Sequence, residues 1–215
     1  TGGDLRKTIG TPKDLRKAIQ TAAFGIDRVV DVGFVKKQGQ NDAEEEYFIN
    51  VAGFGANGEV VERSNRWSKS LGGKLTFLNA TLYTSMTYRP PAVHLEWTNA
   101  DGSTEEWTGK MLSAFVANGQ YCGGGMKVAP AMSIEDGYLH LSVLPDLSVP
   151  AQLFHMPKLY KNQISKVTGS ICRRITELKA FAPQNQPIRI DLDGELSGTL
   201  PAHFSILPKV LTIRG

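Results

Sequence analysis

The chain has 215 residues, of which 41% are hydrophobic and 21% charged, proportions that are typical of a globular protein with one or two domains. A formal net charge of +3 is too small to argue for nucleic-acid binding. No apolar run approaches the ~20 residues of a membrane-spanning helix, and no secretory signal is visible. The two cysteines lack metal-ligand spacing, so we expect free thiols in the reducing cytoplasm.

The N-terminal quarter changes from helical to strand-like patterning near residue 25. Helical spacing predicts short helices over Asp4–Ile9 and Pro12–Phe24. Alternation of apolar and polar residues predicts a strand over Ile26–Lys36, and the run YFINVA at Tyr47–Ala52 is predicted to be a second strand. The polar segment Gln38–Glu46 between them is expected to be a solvated hairpin tip. We therefore predict a boundary at residue 25, with a second unit covering 26–215.

A glycine-rich hexapeptide, Gly53-Phe54-Gly55-Ala56-Asn57-Gly58, matches the GxGxxG pattern of dinucleotide-binding proteins. That pattern requires a helix directly afterwards and a parallel βαβ unit. The residues that follow are expected to be a polar stretch without a helix, so we reject the match. Glycines that end a strand close to a ligand or another backbone are the better interpretation.

The remaining elements predict an antiparallel sheet with inserted helices. Leu71–Tyr88 is the clearest helix, and two strands flank the turn-forming segment Asn99–Ser103. Further predicted elements are strands at Met111–Ala117, Tyr138–Leu144, Ile171–Ala180, Ile188–Asp193, Phe204–Leu207 and Val210–Ile213, and a helix at Val149–Ile164. Nine or ten short strands with few helices indicate a mainly β fold, an antiparallel β-sandwich or barrel with helical insertions.

The segment Asn118–Tyr138 contains five glycines and joins two predicted strands. Three of these glycines, Gly123–Gly125, allow a sharp bend or the close approach of another group. Glu135-Asp136-Gly137 places carboxylates at a turn, where a metal or a phosphate-bound metal could be held. The alternative is an ordinary glycine-rich loop with a β-turn.

A second acidic segment follows the strand Ile188–Asp193. Its isoleucines and leucine alternate with Arg189, Asp191 and Asp193, so the polar side chains share one face. Asp193 ends the strand before Gly194 and can project into a cleft. The alternative is an Asp-Gly turn with solvated carboxylates.

Four segments in this order resemble the diacylglycerol kinase catalytic family, which includes bacterial lipid kinases and the sphingosine and ceramide kinases. They are Thr1-Gly2-Gly3-Asp4, the strand Phe48–Ala52 with Gly55 and Val60, the glycine-rich block Asn118–Gly137, and Asp193-Gly194-Glu195 followed by Pro201, Phe204 and Pro208. The resemblance covers nearly the whole chain.

The resemblance implies a two-domain lipid kinase whose N-terminal α/β domain carries a GGDGT nucleotide loop. No GGDGT occurs here, so we expect the C-terminal β-sandwich domain, with residues 1–25 as the tail of the preceding domain and connecting helices. The implied activity is ATP- and Mg²⁺-dependent phosphorylation of a primary hydroxyl of a long-chain lipid, of diacylglycerol or sphingoid type, at the membrane surface. The alternative is a non-enzymatic β-sandwich that binds lipid or a partner protein.

The resemblance also implies roles for individual residues. Asp193 would be the general base or orient the substrate, although the GGDGT aspartate is a second candidate for the base. The other implied roles are nucleotide binding by Thr1, Asp4 and Glu195, substrate binding by Asn57 and Asn118, and magnesium binding by Asp136. Two positions depart from the family pattern: Gly3 stands where asparagine is usual, and Asn57 stands where aspartate is frequent. A neutral amide at residue 57 suits a neutral or hydroxyl-rich head group.

Overall fold

The chain folds into one strongly curved antiparallel sheet with helices packed around it. A computed structural model describes residues 3–38, 43–66, 73–129, 132–183 and 185–214. The helices are α1 (Gly3–Ile9), α2 (Leu15–Phe24), α3 (Ala56–Arg66), α4 (Gly73–Thr87), α5 (Val149–Tyr160) and a 3-10 turn, Ile164–Lys166. The strands are β1 (Asp27–Gln38), β2 (Ala43–Phe48), β3 (Val51–Gly55), β4 (Ala92–Asn99), β5 (Thr104–Ala117), β6 (Tyr121–Cys122), β7 (Met126–Lys127), β8 (Leu139–Pro145), β9 (Ile171–Phe181), β10 (Arg189–Leu192), β11 (Glu195–Thr199) and β12 (Ala202–Arg214).

The main sheet has the strand order β11-β10-β3-β5-β4-β9-β12-β1-β2, and neighbouring strands are antiparallel. The long strands β5 and β9 hold two shorter strands between them. One half of each long strand pairs with β4 and the other half with β8. β6 and β7 form a separate two-stranded hairpin inside the glycine-rich loop.

The sheet curls so that its two edge strands meet through side chains. The Nζ atom of the buried Lys37 donates to the Oγ atom of Ser197 on β11 at 2.8 Å and pairs with Glu46 on β2 at 2.7 Å. The enclosed core includes Phe48, Phe54, Leu95, Leu141 and Phe204 from five different strands. This architecture is the predicted mainly β antiparallel sandwich with helical insertions.

A second apolar cluster lies on the opposite face of the sheet. Val51 and Phe115 face outwards there because side chains alternate along a strand. They pack with Val128, Met132 and Ile164 from the glycine-rich segment and the 3-10 turn. This cluster packs the glycine-rich segment and the 3-10 turn against the outer face of the sheet.

Most predicted elements are confirmed, with α4 corresponding to the predicted helix Leu71–Tyr88 and the β4–β5 hairpin to the turn at Asn99–Ser103. Two strand predictions are wrong in detail. The predicted strand Tyr47–Ala52 is broken at residues 49–50 into β2 and β3. The two predicted C-terminal strands form one strand, β12, with a bulge where Lys209 has a φ of 54° and donates its backbone N–H to Asp31 at 2.8 Å.

The predicted absence of a helix after the glycine hexapeptide is also wrong, because α3 begins at Ala56. Its charged residues form ion pairs one helical turn apart, such as Glu62 with Arg66 at 2.6 Å, and its Val60 and Val61 are buried. β3 nevertheless runs antiparallel to both of its neighbours. The rejection of a parallel dinucleotide-binding unit therefore stands.

Candidate functional site

The turn between β10 and β11 is fixed to the start of β3 by the side chain of Asp193. Its carboxylate accepts hydrogen bonds from the backbone N–H groups of Ile49, Asn50 and Val51, at 2.9, 3.0 and 2.9 Å. Its own N–H donates to the carbonyl of Val51 at 3.0 Å. Both carboxylate oxygens are therefore engaged, and Asp193 satisfies donors that the break between β2 and β3 leaves unpaired. The catalytic role of Asp193 stays a prediction.

Glu195 lies two residues beyond Asp193, at the first position of β11, and its side chain is exposed. Within the part of the chain that the structure describes, its carboxylate makes no hydrogen bond or ion pair. The anchored turn beside it limits how far its backbone can move. Glu195 is thus a solvent-accessible carboxylate on a fixed backbone.

Asp191, to which the sequence assigned no role, lies in the body of β10. It is opposite Gly53 in the ladder with β3, only 9% of its surface is exposed, and its Oδ2 atom has no hydrogen-bond partner among the described residues. Burial, together with the nearby negative charge of Asp193, raises the pKa of Asp191 to about 8. At neutral pH this buried carboxyl is therefore mostly protonated and uncharged.

Asn57 lies in the first turn of α3, over the same spot on the sheet as Asp191. A Cβ atom added at Gly53 would be 2.7 Å from the Oδ2 atom of Asp191 and 2.8 Å from the Nδ2 atom of Asn57. The glycine therefore makes the room that both side chains occupy. The Nδ2 atom also donates to the carbonyl of Ala114 at 3.1 Å. Substrate binding by Asn57 stays a prediction.

The three consecutive glycines turn the chain between β6 and β7. Gly123, Gly124 and Gly125 have φ values of 55°, 84° and 119°, a region that other residues rarely adopt. The carboxylate of Asp4 in α1 accepts the N–H of Gly124 at 2.7 Å and pairs with Lys7 at 3.0 Å. Asp4 thus holds the loop against α1, while its nucleotide role stays a prediction. Thr1 lies outside the described residues.

Asn118 is fully buried beneath the anchored turn. Its Nδ2 atom donates to the carbonyls of Asp31 and Ile49 at 2.9 and 2.8 Å, and its backbone N–H donates to the carbonyl of Asn50 at 2.9 Å. Asn118 therefore binds carbonyl groups of the same 49–51 segment whose N–H groups bind Asp193. Asn118 is thus placed as a structural residue, and its contact with substrate stays a prediction.

Asp136 forms a local turn at the end of the glycine-rich segment. Its carboxylate accepts the N–H groups of Ser133 and Tyr138 at 3.3 and 3.2 Å and lies 3.6 Å from Arg174. Among the described residues, no three or more His, Cys, Asp or Glu side chains are grouped as metal ligands. A carboxylate held by two N–H groups and an arginine does not fit a resident magnesium site, so we derive no step through one.

Comparison with known proteins defines the family. Residues 50–215 match the model of the YegS C-terminal NAD kinase beta sandwich-like domain. Since this match covers well over half of the chain, the chain belongs to that family. The predicted resemblance and fold class are confirmed.

Named relatives agree with this assignment. The diacylglycerol kinase of Bacillus subtilis (strain 168) is 26% identical over 205 residues, covering 95% of this chain and 63% of the relative. The lipid kinase YegS of Escherichia coli (strain K12) is 25% identical over 214 residues, covering all of this chain and 66% of the relative. The chain therefore spans slightly less than two thirds of the length of these relatives.

Solved structures from Bacillus anthracis str. Sterne share the fold. A diacylglycerol kinase aligns with a TM-score of 0.64 and 18% identity over 100% of this chain and 64% of its own. Another chain from the same strain reaches a TM-score of 0.70 with 22% identity, over 99% of this chain and 65% of its own. At these identities the structures support the fold alone.

Proposed function

We propose that this chain is the C-terminal domain of an ATP-dependent lipid kinase, which phosphorylates a primary hydroxyl of a long-chain lipid. The observation that carries the proposal is the exposed Glu195 beside a turn fixed by four hydrogen bonds of Asp193, in a family whose relatives are named lipid kinases. ATP, as its magnesium complex, is the phosphoryl donor and is bound largely by sequence outside this chain.

The proposed chemistry divides two tasks between neighbouring carboxylates. Phosphoryl transfer requires a positioned hydroxyl, charge neutralisation and a group that accepts the hydroxyl proton. We assign proton acceptance to Glu195, because its carboxylate is exposed and unpaired within the described residues. We assign Asp193 the role of orienting the substrate and not of accepting the proton, because both of its carboxylate oxygens already accept backbone N–H groups.

We favour diacylglycerol over a sphingoid base as the lipid. The groups nearest to Gly53 are the neutral amide of Asn57 and the carboxyl of Asp191, whose pKa of about 8 makes it mostly uncharged at neutral pH. Such a pair offers hydrogen bonds but little negative charge. A hydroxyl-bearing neutral head group suits it better than an ammonium group, which prefers a charged partner.

The test is a transfer assay with the full natural chain, including the sequence that precedes residue 1. The protein is incubated with labelled ATP and magnesium and with mixed micelles of diacylglycerol, ceramide or sphingosine. We expect phosphorylation of diacylglycerol above the other two lipids and no activity from the isolated 215-residue chain. Absence of transfer to every lipid, together with saturable lipid binding, would instead support a non-enzymatic lipid-binding module.

A further inference from the structure

Glu195 lies on a strand at one edge of the main sheet. Among the described residues, β11 pairs with β10 alone, and a bulge interrupts the ladder between the two strands. Residues 196–199 of β11 lie opposite only residues 189–191 of β10, so β11 has an extra residue at 197–198. Gly198, in this bulge, has a φ of 78°. The ladder with β10 is therefore interrupted two residues after Glu195.

A buried lysine near the other edge of the sheet binds this bulge. Lys37 lies near the end of β1, on the same face as the core residue Val35, and is only 4% exposed. Its Nζ atom donates to the Oγ atom of Ser197 at 2.8 Å and to the backbone carbonyl of Ser197 at 3.0 Å. The same Nζ atom pairs with Glu46 at 2.7 Å and with Glu44 at 3.4 Å, both on β2. Lys37 thus binds both the side chain and the backbone of a residue in the bulge.

We call Lys37, Glu44, Glu46 and Ser197 the edge ion cluster. The Oγ atom of Ser197 also donates to the carboxylate of Glu46. The hydrogen bonds from Lys37 and Ser197 lower the pKa of Glu46, so this carboxylate is ionised at neutral pH and compensates the buried charge of Lys37. Hydrogen bonds between charged groups are stronger than those between neutral ones. The edge ion cluster therefore fixes β11 to β1 and β2 through side chains.

Glu195 lies midway between two fixed points of the backbone. Two residues before it, Asp193 is bound to the N–H groups of the 49–51 segment, and two residues after it, Ser197 is bound to Lys37. Two residues of a strand span about 7 Å, and their side chains lie on the same face. Without the edge ion cluster, the Asp193 turn would be the nearer fixed point that remains, and β11 could pivot about it.

We propose that Lys37 is a positioning residue for Glu195. The inference rests on the proposed function, in which Glu195 accepts the hydroxyl proton of the lipid. Lys37 acts through Ser197 on the backbone of β11 and so holds the Glu195 carboxylate at the place where the hydroxyl is presented. Proton transfer requires a hydrogen-bonded distance, and a displacement of about 1 Å can lower the rate by up to about 100-fold.

The first test is steady-state kinetics of the full natural chain with labelled ATP, magnesium and diacylglycerol micelles. Lys37→Met keeps the length of the side chain and removes its charge. We expect its kcat to fall about tenfold, with the KM for ATP and for diacylglycerol unchanged. Lys36→Met is the matched control, because Lys36 makes an exposed ion pair of the same kind between β1 and β2, with Glu45 at 3.1 Å, and should retain full activity.

A double-mutant cycle separates positioning from a general loss of stability. If Lys37 acts through Glu195, adding Lys37→Met to Glu195→Gln should lower kcat no further, because the positioned carboxylate is already absent. A loss of folded protein would lower kcat about equally in both backgrounds. A further tenfold fall in the double variant, or a normal kcat in Lys37→Met alone, would overturn the proposal.

A milder pair of variants decides the question if Lys37→Met does not fold. Ser197→Ala keeps the ion pair between Lys37 and Glu46 and removes only the hydroxyl that links it to β11. Its kcat should fall about threefold, and Ser197→Thr, which restores a hydroxyl, should recover most of the loss. Equal kcat values for wild type and Ser197→Ala would contradict the proposal.

Hydrogen exchange separates this proposal from the proposed kinase activity. In Lys37→Met the amides of residues 195–199 should exchange about tenfold faster than in Lys36→Met, with those of β9 unchanged. Unchanged exchange in β11, with wild type active on diacylglycerol, would disprove the role of Lys37 and leave the kinase activity intact. Faster exchange in β11, with no transfer to any lipid by wild type, would support the hold of Lys37 on this strand and disprove the kinase activity.

Discussion

Asp191 and Asp193 lie two residues apart on the same hairpin, and their surroundings differ completely. Asp193 accepts three backbone N–H groups from the 49–51 segment. Asp191 lies beneath α3, where its buried Oδ2 atom has no partner among the described residues. The comparison shows that available donors, not residue type, decide what a carboxylate does: one holds two segments together, and the other is mostly protonated.

The largest expected effect is on the turnover rate, and it comes from Glu195 at the exposed end of this hairpin. Glu195→Gln keeps shape and polarity but cannot accept a proton, so turnover of the full natural chain should fall at least about 100-fold. The thermal midpoint should hardly change because the side chain is exposed. Glu106→Gln, at another exposed carboxylate in β5, is the matched control and should retain full activity. Normal turnover in Glu195→Gln would disprove its assignment as proton acceptor.

The next effect is on stability at Asp193. Asp193→Ala leaves three N–H groups of residues 49–51 without their acceptor, and each hydrogen bond to a charged group contributes roughly 1.5–3 kcal/mol. Because water can replace part of this, we expect unfolding to become about 2–4 kcal/mol easier in denaturant titrations. Asp146→Ala, at an exposed aspartate, should change stability by less than about 0.5 kcal/mol. A variant as stable as wild type would mean that these bonds do not hold the turn.

The fold was largely predictable because its signals are local. Alternation, turn residues and helical spacing extend over a few residues, and they identified the β4–β5 hairpin, α4 and the mainly β architecture. The break between β2 and β3 was missed because the strand-like, mostly apolar run continues through residues 47–52. Its cause is a partner 143 residues away, the carboxylate of Asp193 that accepts the N–H of Asn50.

The candidate site was only partly predictable for the same reason. Asp193-Gly194-Glu195 is visible in the sequence, but the role of Asp191 depends on its register with Gly53 across two strands. The burial of Asn118 depends on bonds to the carbonyls of Asp31 and Ile49, which are 87 and 69 residues away. Sequence patterns identify such residues without showing what surrounds them.

A smaller effect is expected at the glycine that separates Asn57 from Asp191. Gly53→Ala would place a methyl group 2.7 Å from the Oδ2 atom of Asp191, so side chains must shift, at a cost of about 1–3 kcal/mol. Gly3→Ala is the control, since no atom lies within 4 Å of the added methyl group. Chemical denaturation of both variants measures the difference. Equal stability of the two would show that the space above Gly53 is not tightly filled.

The clearest pH signature, with a net effect at neutral pH that two opposing terms partly cancel, is expected for Asp191→Asn. The pKa of Asp191 is raised from 3.8 to about 8 in the folded protein. Between these values the unfolded chain releases a proton that the folded chain keeps, so wild-type stability falls as pH rises. Burial also lowers the pKa of His140 to about 4, which gives the opposite slope below its unfolded value of 6.5. Between pH 6.5 and 8, the change of stability with pH therefore reports on Asp191 and not on His140.

In this window wild type should lose up to roughly 1.4 kcal/mol of stability per pH unit relative to Asp191→Asn. Around pH 7 the variant gains by avoiding this cost, roughly 4 kcal/mol for about three pH units above 3.8, but its buried amide is left unpaired at a cost of about 1–3 kcal/mol, so the net change should be a gain of about 1–3 kcal/mol. Denaturant midpoints of both proteins at pH 6.5, 7.25 and 8 give the two slopes. Parallel slopes would show that the Asp191 carboxyl is already ionised at pH 6.5 in the folded protein.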